Sequence, residues 1–350
     1  MESKRIVYFD YLRVISVFSV IVLHVAAQNW PNVDTNTFEW NVFNVYDGAS
    51  RWGVPIFVMI SGALFLGREY TLATLYRKHI LKMAIAFVFW STAYAVWGNW
   101  IEEPGKTGKE ILVSIILGRY HLWFLPMIIG IYMIVPLLND IVKDNKHAFY
   151  FLALSFLFSF FIPQSILIIN LKSVGLSLTL AKALSNANIH FMVGFSGYYI
   201  LGYLLHSIEL KKKQLITLYL LGICGLLFTV GLTAVISMCS EEPKGLFYGD
   251  FTVNVLAIAV AVFLFAKNHL NYTNLSVKRQ RFLLSLSKCS FGIYLVHVIV
   301  IDGLKEFFHL TTLSFHAALT VPVISIIVFV ISYLISALLN KIPVLKSWIV

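Results

Sequence analysis

Two ionisable residues in the first apolar stretch of the chain have a spacing that could support acid–base chemistry. Arg13 and His24 are eleven residues apart, close to three α-helical turns, so both side chains should lie on one helix face about 16 Å apart. Imidazole has an unperturbed pKa of about 6.5, which suits it to moving a proton near neutral pH. Asp10 precedes Arg13 by three residues and can orient its guanidinium. Singly, Arg13 suits a snorkelling anchor and His24 a structural hydrogen bond; together they predict a site.

Further polar residues interrupt later apolar stretches. In the run YDGASRWGVPIFVMISG, Asp47 and Arg51 are four residues apart and can pair on one helix face. A charge at the centre of a membrane helix costs about 2.5–3.5 kcal/mol on insertion scales, so it marks a functional site unless it forms an ion pair that fixes packing. Trp123 lies near the outer end of a predicted span, where an aromatic side chain more often marks the membrane interface than a platform for substrate. The other candidate substrate-binding residues are Ser61, His121, Trp123, Tyr294 and His297.

The composition is that of a membrane protein. Hydrophobic residues make up 59% of the 350 residues and charged residues 13%, and the mean hydropathy is +0.81. Soluble globular proteins have about 45–50% apolar and about 25% charged residues. So little charge could not cover a surface exposed to water. The 28 Phe, 17 Tyr and 8 Trp residues exclude a disordered chain, and three cysteines without paired spacing exclude a disulfide scaffold.

The apolar stretches have the length of membrane-spanning helices. A hydrocarbon core about 30 Å thick is crossed by about 20 apolar residues. The sequence therefore predicts an all-α, polytopic protein with about ten transmembrane helices, organised as one integral-membrane domain over residues 1–350. The segment Lys109–Gly118 is apolar but too short, and we expect it to be interfacial or re-entrant. The predicted spans are Tyr8–Gln28, Asn41–Leu66, Ile80–Trp100, His121–Val142, Ala148–Pro163, His190–Ile208, Leu215–Met238, Tyr248–Ala266, Leu284–Leu304 and Ala317–Asn340.

The charge distribution predicts the orientation of these helices. If the N-terminus is cytoplasmic, most of the 27 Lys and Arg residues flank the inner ends of the spans. Cytoplasmic loops are enriched in Lys and Arg, so we expect both termini in the cytoplasm of a multi-pass protein of the cell (inner or plasma) membrane. The net charge of +10 is explained by contact of the inner loops with anionic lipid, and no nucleic acid partner is expected. A positive inner surface would also attract an anionic cytosolic ligand.

A secretory signal peptide is the alternative interpretation of the first apolar stretch. Two basic residues precede the apolar run, and two alanines follow it. However, Asp10 and Arg13 intrude just before the apolar run, and removing this stretch would break the alternation of charge between successive loops. We therefore expect this stretch to be retained as the first transmembrane helix.

Four sequence segments, in this order, resemble the membrane-bound acyltransferase-3 family. They are YFDYLRVISVFSVIVLH, in which ten residues separate an arginine from a histidine, and RWGVPIFVMISG, HLWFLPMIIGIYMIVPLL and SFGIYLVH. The likeness covers about residues 8–340. Members of the family move an acyl group, usually acetyl from cytosolic acetyl-CoA, onto hydroxyls of extracytoplasmic glycans or related molecules.

This resemblance implies roles for several residues. Arg13 and His24 would be essential, with His24 in the reacting role, and Arg51 and a Ser61-Gly62 turn would help to form the site. The basic residues after the second span would bind the acyl-CoA headgroup, although they are spaced more loosely than the paired arginines of some relatives. These residues are Arg77, Lys78 and Lys82.

Acyl transfer from a thioester to a sugar hydroxyl needs a base, donors for the oxyanion and positioning of both substrates. We expect the CoA headgroup to bind near Arg13, the pantetheine arm to enter between helices toward His24, and the acceptor to approach from outside. Arg51, His121 and Tyr294 are candidates for the oxyanion or acceptor shell. Direct attack with His24 as base is favoured because no cysteine lies in an activated setting, and an acyl-histidine relay is the alternative. Acetyl-CoA is then a donor substrate, and neither a permanently bound cofactor nor a metal is expected.

A transporter or flippase for a surface-glycan precursor is the competing class. About ten spans and intramembrane charges also suit alternating access, but the two similar halves common in transporters are not evident in the sequence. Binding of CoA would separate the two classes. The sequence leaves open the acyl group (acetyl or succinyl) and the acceptor, which could be a lipid-linked oligosaccharide or other glycan (teichoic acid or peptidoglycan) or a small molecule. It also leaves open whether a partner protein completes the transfer and whether the protein forms a homo-oligomer.

Overall fold

The fold is helical throughout the part of the chain that the structure describes. This computed structural model describes residues 5–102, 104–186, 194–270 and 275–349, and these ranges contain no strand. The helices are α1 Val7–Ala26, α2 Phe38–Ser50, α3 Gly53–Phe65, α4 Leu72–Ile101, α5 Gly108–Leu117, α6 Tyr120–Val142, α7 Asn145–Asn170, α8 Val174–Asn186, α9 Gly194–Ser207, α10 Lys212–Ser240, α11 Val253–His269, α12 Val277–Phe308, α13 Ala317–Leu339 and α14 Pro343–Trp348.

Most of these helices suit a bilayer. Eight helical segments within the described ranges are long and apolar enough to cross a membrane, and eight of the ten predicted spans fall on them. This confirms an all-α, polytopic helical membrane protein. The predicted span Tyr248–Ala266 falls on the 17-residue helix α11. The predicted span His190–Ile208 begins outside the described residues and continues as α9. Helix α8, which the sequence did not predict, is apolar but short.

Contacts between helices divide the chain into two compact units, each described by itself. The first unit consists of Met1–Arg68 and Leu137–Ser276, and the second of Glu69–Pro136 and Val277–Val350. The predicted site residues on α1, α2 and α3 belong to the first unit, and those on α4, α6 and α12 belong to the second. A single integral-membrane domain stays a prediction.

The second predicted span is two helices. Thr37 begins α2 by accepting a hydrogen bond from the backbone N–H of Trp40, which satisfies one free donor of the first turn. Helix α2 ends at Ser50 and α3 begins at Gly53, so Arg51 lies at the break between them. The apolar pattern continues across this break, and hydropathy therefore did not reveal it.

The predicted Ser61-Gly62 turn is wrong, because both residues lie inside α3. Gly62 instead permits close packing. A Cβ atom at Gly62 would lie 1.8 Å from the carbonyl oxygen of Tyr199 on α9, and a Cβ at Gly202 would lie 2.1 Å from the carbonyl oxygen of Met59 on α3. Each helix thus presents a glycine to the other's backbone, the small-residue contact that brings membrane helices together.

We predict that Gly62→Ala destabilises the protein. The new methyl group would overlap the backbone of α9, which cannot move aside as a flexible side chain could, so we expect a cost of about 3 kcal/mol or more. Thermal unfolding of the purified protein in detergent measures this. The matched control is Gly231→Ala inside α10, where a Cβ meets no atom within 4 Å and the better helix former should stabilise by about 0.5–1 kcal/mol. Equal unfolding temperatures for the two variants would contradict the α3–α9 packing.

Candidate functional site

One face of α1 carries both Arg13 and His24. The helix is continuous through both residues, so they are about 16 Å apart along its axis and offset by about 20° around it. Val17 and Val20 lie between them on the same face, with exposed fractions of 0% and 2%. Arg13 and His24 are themselves half-buried. The shared face is therefore directed into the first unit rather than outward toward lipid.

The middle of this face is closely packed against α3. A Cβ atom at Gly53, where α3 begins, would lie 3.0 Å from the carbonyl oxygen of Ser16 and 3.0 Å from a methyl group of Val20. The contact between α1 and α3 therefore leaves no room for a pantetheine arm at this level. The expected entry of the arm between helices stays a prediction, and it would have to use a side of α1 other than the contact with Gly53.

The buried carboxylate at the start of α1 has two arginine neighbours. Asp10 is 0% exposed and accepts hydrogen bonds from Nε and Nη2 of Arg5 at 2.8 and 2.6 Å. Arg13 Nη1 lies 3.5 Å from the same carboxylate. Arg5 is therefore the main partner of Asp10, and the predicted contact with Arg13 is the weaker one. Spacing did not reveal Arg5, because it precedes the helix and lies five residues from Asp10.

The break between α2 and α3 holds Arg51 in a cluster of polar and aromatic side chains. Arg51 Nη2 lies 2.6 Å from the carboxylate of Asp47, which is 1% exposed. The guanidinium carbon lies 4.1 Å from the ring centroid of Tyr248, a cation–π distance. The Tyr248 hydroxyl in turn donates to the side-chain oxygen of Asn44. The sequence predicted the ion pair but not Tyr248 or Asn44, because Tyr248 is distant in the chain and has no spacing signal.

This cluster presents a preorganised donor group. The Arg51 side chain is 23% exposed, and its buried Nε has no hydrogen-bond partner among the described residues. Fixed donors of this kind stabilise negative charge that develops during a reaction, because they need not reorganise.

Asp47, the ion-pair partner of Arg51, lies toward the same end of the first unit as His24. The Ser19 hydroxyl on α1 donates to the carbonyl oxygen of Ser50 at the end of α2, at 2.8 Å. Helices α1 and α2 are antiparallel neighbours joined by a short connection. His24 is about 7.5 Å beyond Ser19 along α1, and Asp47 is about 4.5 Å before Ser50 along α2. Because the two helices run in opposite directions, His24 and Asp47 lie on the same side of the contact between Ser19 and Ser50.

The second unit brings together three predicted site residues. The Tyr294 hydroxyl donates to the backbone carbonyl of His121, and the rings of His121 and His297 have centroids 5.1 Å apart. His297 is 0% exposed, and its Nδ1 lies 2.6 Å from the carbonyl oxygen of Tyr294. A proton on Nδ1 makes that bond and leaves Nε2 as the basic atom. Tyr94, which the sequence did not single out, packs edge-on against His121 at 4.9 Å.

The remaining two predicted substrate-binding residues, Ser61 and Trp123, both keep some exposed surface. Ser61 is half-buried within α3. Trp123, at the end of the 3₁₀ turn that opens α6, is 39% exposed.

The basic residues predicted to bind CoA lie on an irregular part of α4. Residues Leu75–Ile80 form a π-helical segment, a rare geometry that is frequent at functional sites. Arg77 and Lys78 are exposed within it, and Lys82 is half-buried about one turn further along. The two exposed cations are available to an anionic headgroup.

Comparison with known families identifies the chain. A family model described as an acyltransferase domain matches residues 6–340. The chain belongs to the acyltransferase-3 family. This confirms the resemblance of the four sequence segments and makes the protein a membrane acyltransferase. No curated protein and no solved structure matches the chain. Within the described residues of this acyltransferase, no group of three or more His, Cys, Asp or Glu side chains could hold a metal ion.

A buried carboxyl group lies close to Arg51. Asp250 is in the loop between α10 and α11, and burial raises its pKa to about 6, although the positive charge of Arg51 acts in the opposite direction. An aspartate in an unfolded chain has a pKa of about 3.9. Between these values the folded state binds more protons than the unfolded state, so this group makes stability fall as the pH rises from about 4 to about 6.

We predict that Asp250→Asn stabilises this acyltransferase above pH 7 and has little effect at pH 4. The neutral amide removes the cost of burying a charge, which we expect to be about 1–2 kcal/mol because the side chain keeps some contact with solvent. Thermal unfolding in detergent at both pH values measures the difference. Asp140→Asn, at an exposed site, is the control and should show no such pH dependence. Destabilisation of Asp250→Asn above pH 7 would refute the assignment.

Proposed function

We propose that this acyltransferase moves an acetyl or similar acyl group from cytosolic acyl-CoA to a hydroxyl of an extracytoplasmic or lipid-linked glycan. The enzyme would lie in the cell membrane with both termini in the cytoplasm, where the Lys and Arg bias places them. The observation that carries the proposal is the inward face of α1, which holds Arg13 and His24 at two levels about 16 Å apart. A donor on one side of the membrane and an acceptor on the other require residues at both levels.

In the proposed reaction His24 is the general base. It takes the proton of the acceptor hydroxyl while the hydroxyl oxygen attacks the thioester carbonyl carbon. The tetrahedral intermediate carries its negative charge on the former carbonyl oxygen, which Arg51 would stabilise. Collapse breaks the carbon–sulfur bond, and the imidazolium of His24 returns the proton to the departing CoA thiolate. The products are the ester and free CoA, and the histidine is regenerated.

Donor binding would fall to the basic residues at the predicted cytoplasmic level. CoA carries phosphates, for which arginine and lysine are the usual protein partners. By the predicted orientation, Arg13 is on the inner half of α1. Arg77, Lys78 and Lys82 come after the second predicted span, which places them on the cytoplasmic side in the same prediction. Asp10 is mainly held by Arg5, and its contact with Arg13 at 3.5 Å is the weaker one, so breaking this one contact would cost little if Arg13 binds a phosphate.

Three residues of the second unit are candidates for contact with the acceptor. The contact between Tyr294 and His121, and the buried ring of His297, support an acceptor role for these three residues on the second unit. Ser61 and Trp123 stay candidates from the sequence. A surface-glycan transporter without chemistry is the alternative, and membership of an acyltransferase family speaks against it.

We predict that His24→Ala lowers kcat for transfer from acetyl-CoA by about 100- to 10,000-fold, the contribution typical of a general base. Turnover is measured on the purified protein in nanodiscs, with acetyl-CoA and glycan extracted from the producing cells. His147→Ala is the control, because His147 is exposed and forms only a long contact with Asp144. Full activity of His24→Ala would remove this residue from the mechanism.

We predict that Arg13→Ala acts on donor binding. Losing one charge-assisted hydrogen bond to a phosphate should raise the KM for acetyl-CoA about tenfold, equivalent to about 1.4 kcal/mol, with kcat nearly unchanged. The same variant should show less thermal stabilisation by free CoA. Lys143→Ala is a suitable control, because Lys143 also pairs with an aspartate three residues away but lies at an exposed site. A fall in kcat at constant KM would contradict this role.

A further inference from the structure

The second unit contains a polar cavity that the proposed mechanism does not use. Its volume is about 190 Å³, and it lies where α4 ends, α5 passes and α6 begins. Its polar lining comes from Tyr94, Glu102, Lys106, Ser114 and Arg119. The connection from α4 to α6 is on the predicted extracytoplasmic side, where the proposed acceptor is found.

The local fold fixes the shape of this cavity. Thr107 and Glu110 form a capping box, in which each side chain bonds the other's backbone N–H, and this sets the start of α5. Gly118 ends α5 with a φ of +72°, and a Cβ there would lie 3.0 Å from the ring of Phe87 and 3.1 Å from the hydroxyl oxygen of Ser91. Only glycine fits this turn. The turn directs the next residue, Arg119, into the cavity wall.

Arg119 is held by two carboxylates. It donates from Nη1 and Nη2 to both oxygens of Glu102, at 2.7 and 2.6 Å, and from Nη2 to Asp302 at 3.0 Å. Burial raises the pKa of the Glu102 carboxyl, but the hydrogen bonds from Arg119 outweigh it and keep the pKa below its usual value. Arg119 Nε is buried and has no hydrogen-bond partner within the described residues. The wall therefore presents a fixed carboxylate and a fixed guanidinium side by side.

These groups select the class of ligand. The two carboxylates would repel an anion, and Arg119 and Lys106 would repel a cation. Neighbouring donors and acceptors suit hydroxyl groups, which can both donate and accept. The rest of the lining includes the apolar side chains of Ala95, Val113 and Leu117, which suit the C–H face of a sugar ring. The cavity is smaller than the about 300–1,000 Å³ of pockets for drug-sized ligands, so it would hold one ring.

We propose that this cavity binds a single neutral sugar residue of the acceptor glycan, through Glu102 and Arg119. The choice of an acceptor glycan rests on the proposed function, while the binding of a hydroxyl-rich ring rests on the cavity itself. Glu102 and Arg119 are then specificity residues for the acceptor, outside the groups that carry out the transfer.

Saturation-transfer NMR on the full-length protein in nanodiscs tests this proposal, with methyl glucoside, methyl galactoside and N-acetylglucosamine as probes. We expect saturation transfer to at least one of these sugars for the wild-type protein. Glu102→Gln removes an acceptor charge, and Ser114→Trp fills the cavity without changing any charge. Both should weaken the signal at least fivefold, whereas Glu242→Gln should not, because Glu242 lies in another loop and pairs there with Lys244.

Unfolding temperatures of all variants accompany the binding data. If Glu102→Gln does not fold, Ser114→Trp, at a half-buried position of α5 that lines the cavity, decides the question. The proposal is overturned if no probe binds the wild-type protein or if a folded Ser114→Trp variant binds as well as wild type. The acetyl-CoA turnover assay on the same preparation separates the two proposals. A protein that binds sugar but transfers no acyl group would refute the proposed function and leave this binding site intact.

Discussion

Charged side chains in an apolar interior are stable only where a partner of opposite charge or an aromatic ring holds them, and the local structure of this acyltransferase follows from that constraint. Asp10 is held by Arg5. Arg51 is held by Asp47 and by the ring of Tyr248. In each case the carboxylate is the more buried partner and the arginine keeps some exposure. The arginines are thereby fixed in direction while part of each guanidinium stays available to a ligand.

The backbone packing of the first unit fixes the position of Arg51 in the candidate site. Helix α3 is fixed against α9 by the glycine contacts at Gly62 and Gly202. Its first residue, Gly53, lies two residues after Arg51 and packs against α1. The position of the arginine is therefore set by rigid backbone contacts at both ends of one short helix, and the same contacts close the face of α1 between Arg13 and His24.

The sequence predicted those features that depend on local patterns. Hydropathy located eight membrane segments, because a bilayer needs long apolar runs. Helical periodicity placed Arg13 and His24 on one face and paired Asp47 with Arg51. The sequence did not predict the break at Arg51, because apolar residues continue on both sides of it. Nor did it predict that Tyr248 lies beneath Arg51 or that Arg119 joins Glu102 and Asp302, because these contacts join residues far apart in the chain and have no signal in spacing.

The π-helical segment of α4 changes which side chains of this helix lie on one face. Such a turn accommodates one residue more than a regular turn, which rotates everything on one side of it by about 100° relative to the other. Residues before Leu75 and residues after Ile80 therefore do not share one continuous helix face. Arg77 and Lys78 are exposed and lie within this segment, so the extra residue sets their direction relative to the long apolar part of α4 that follows.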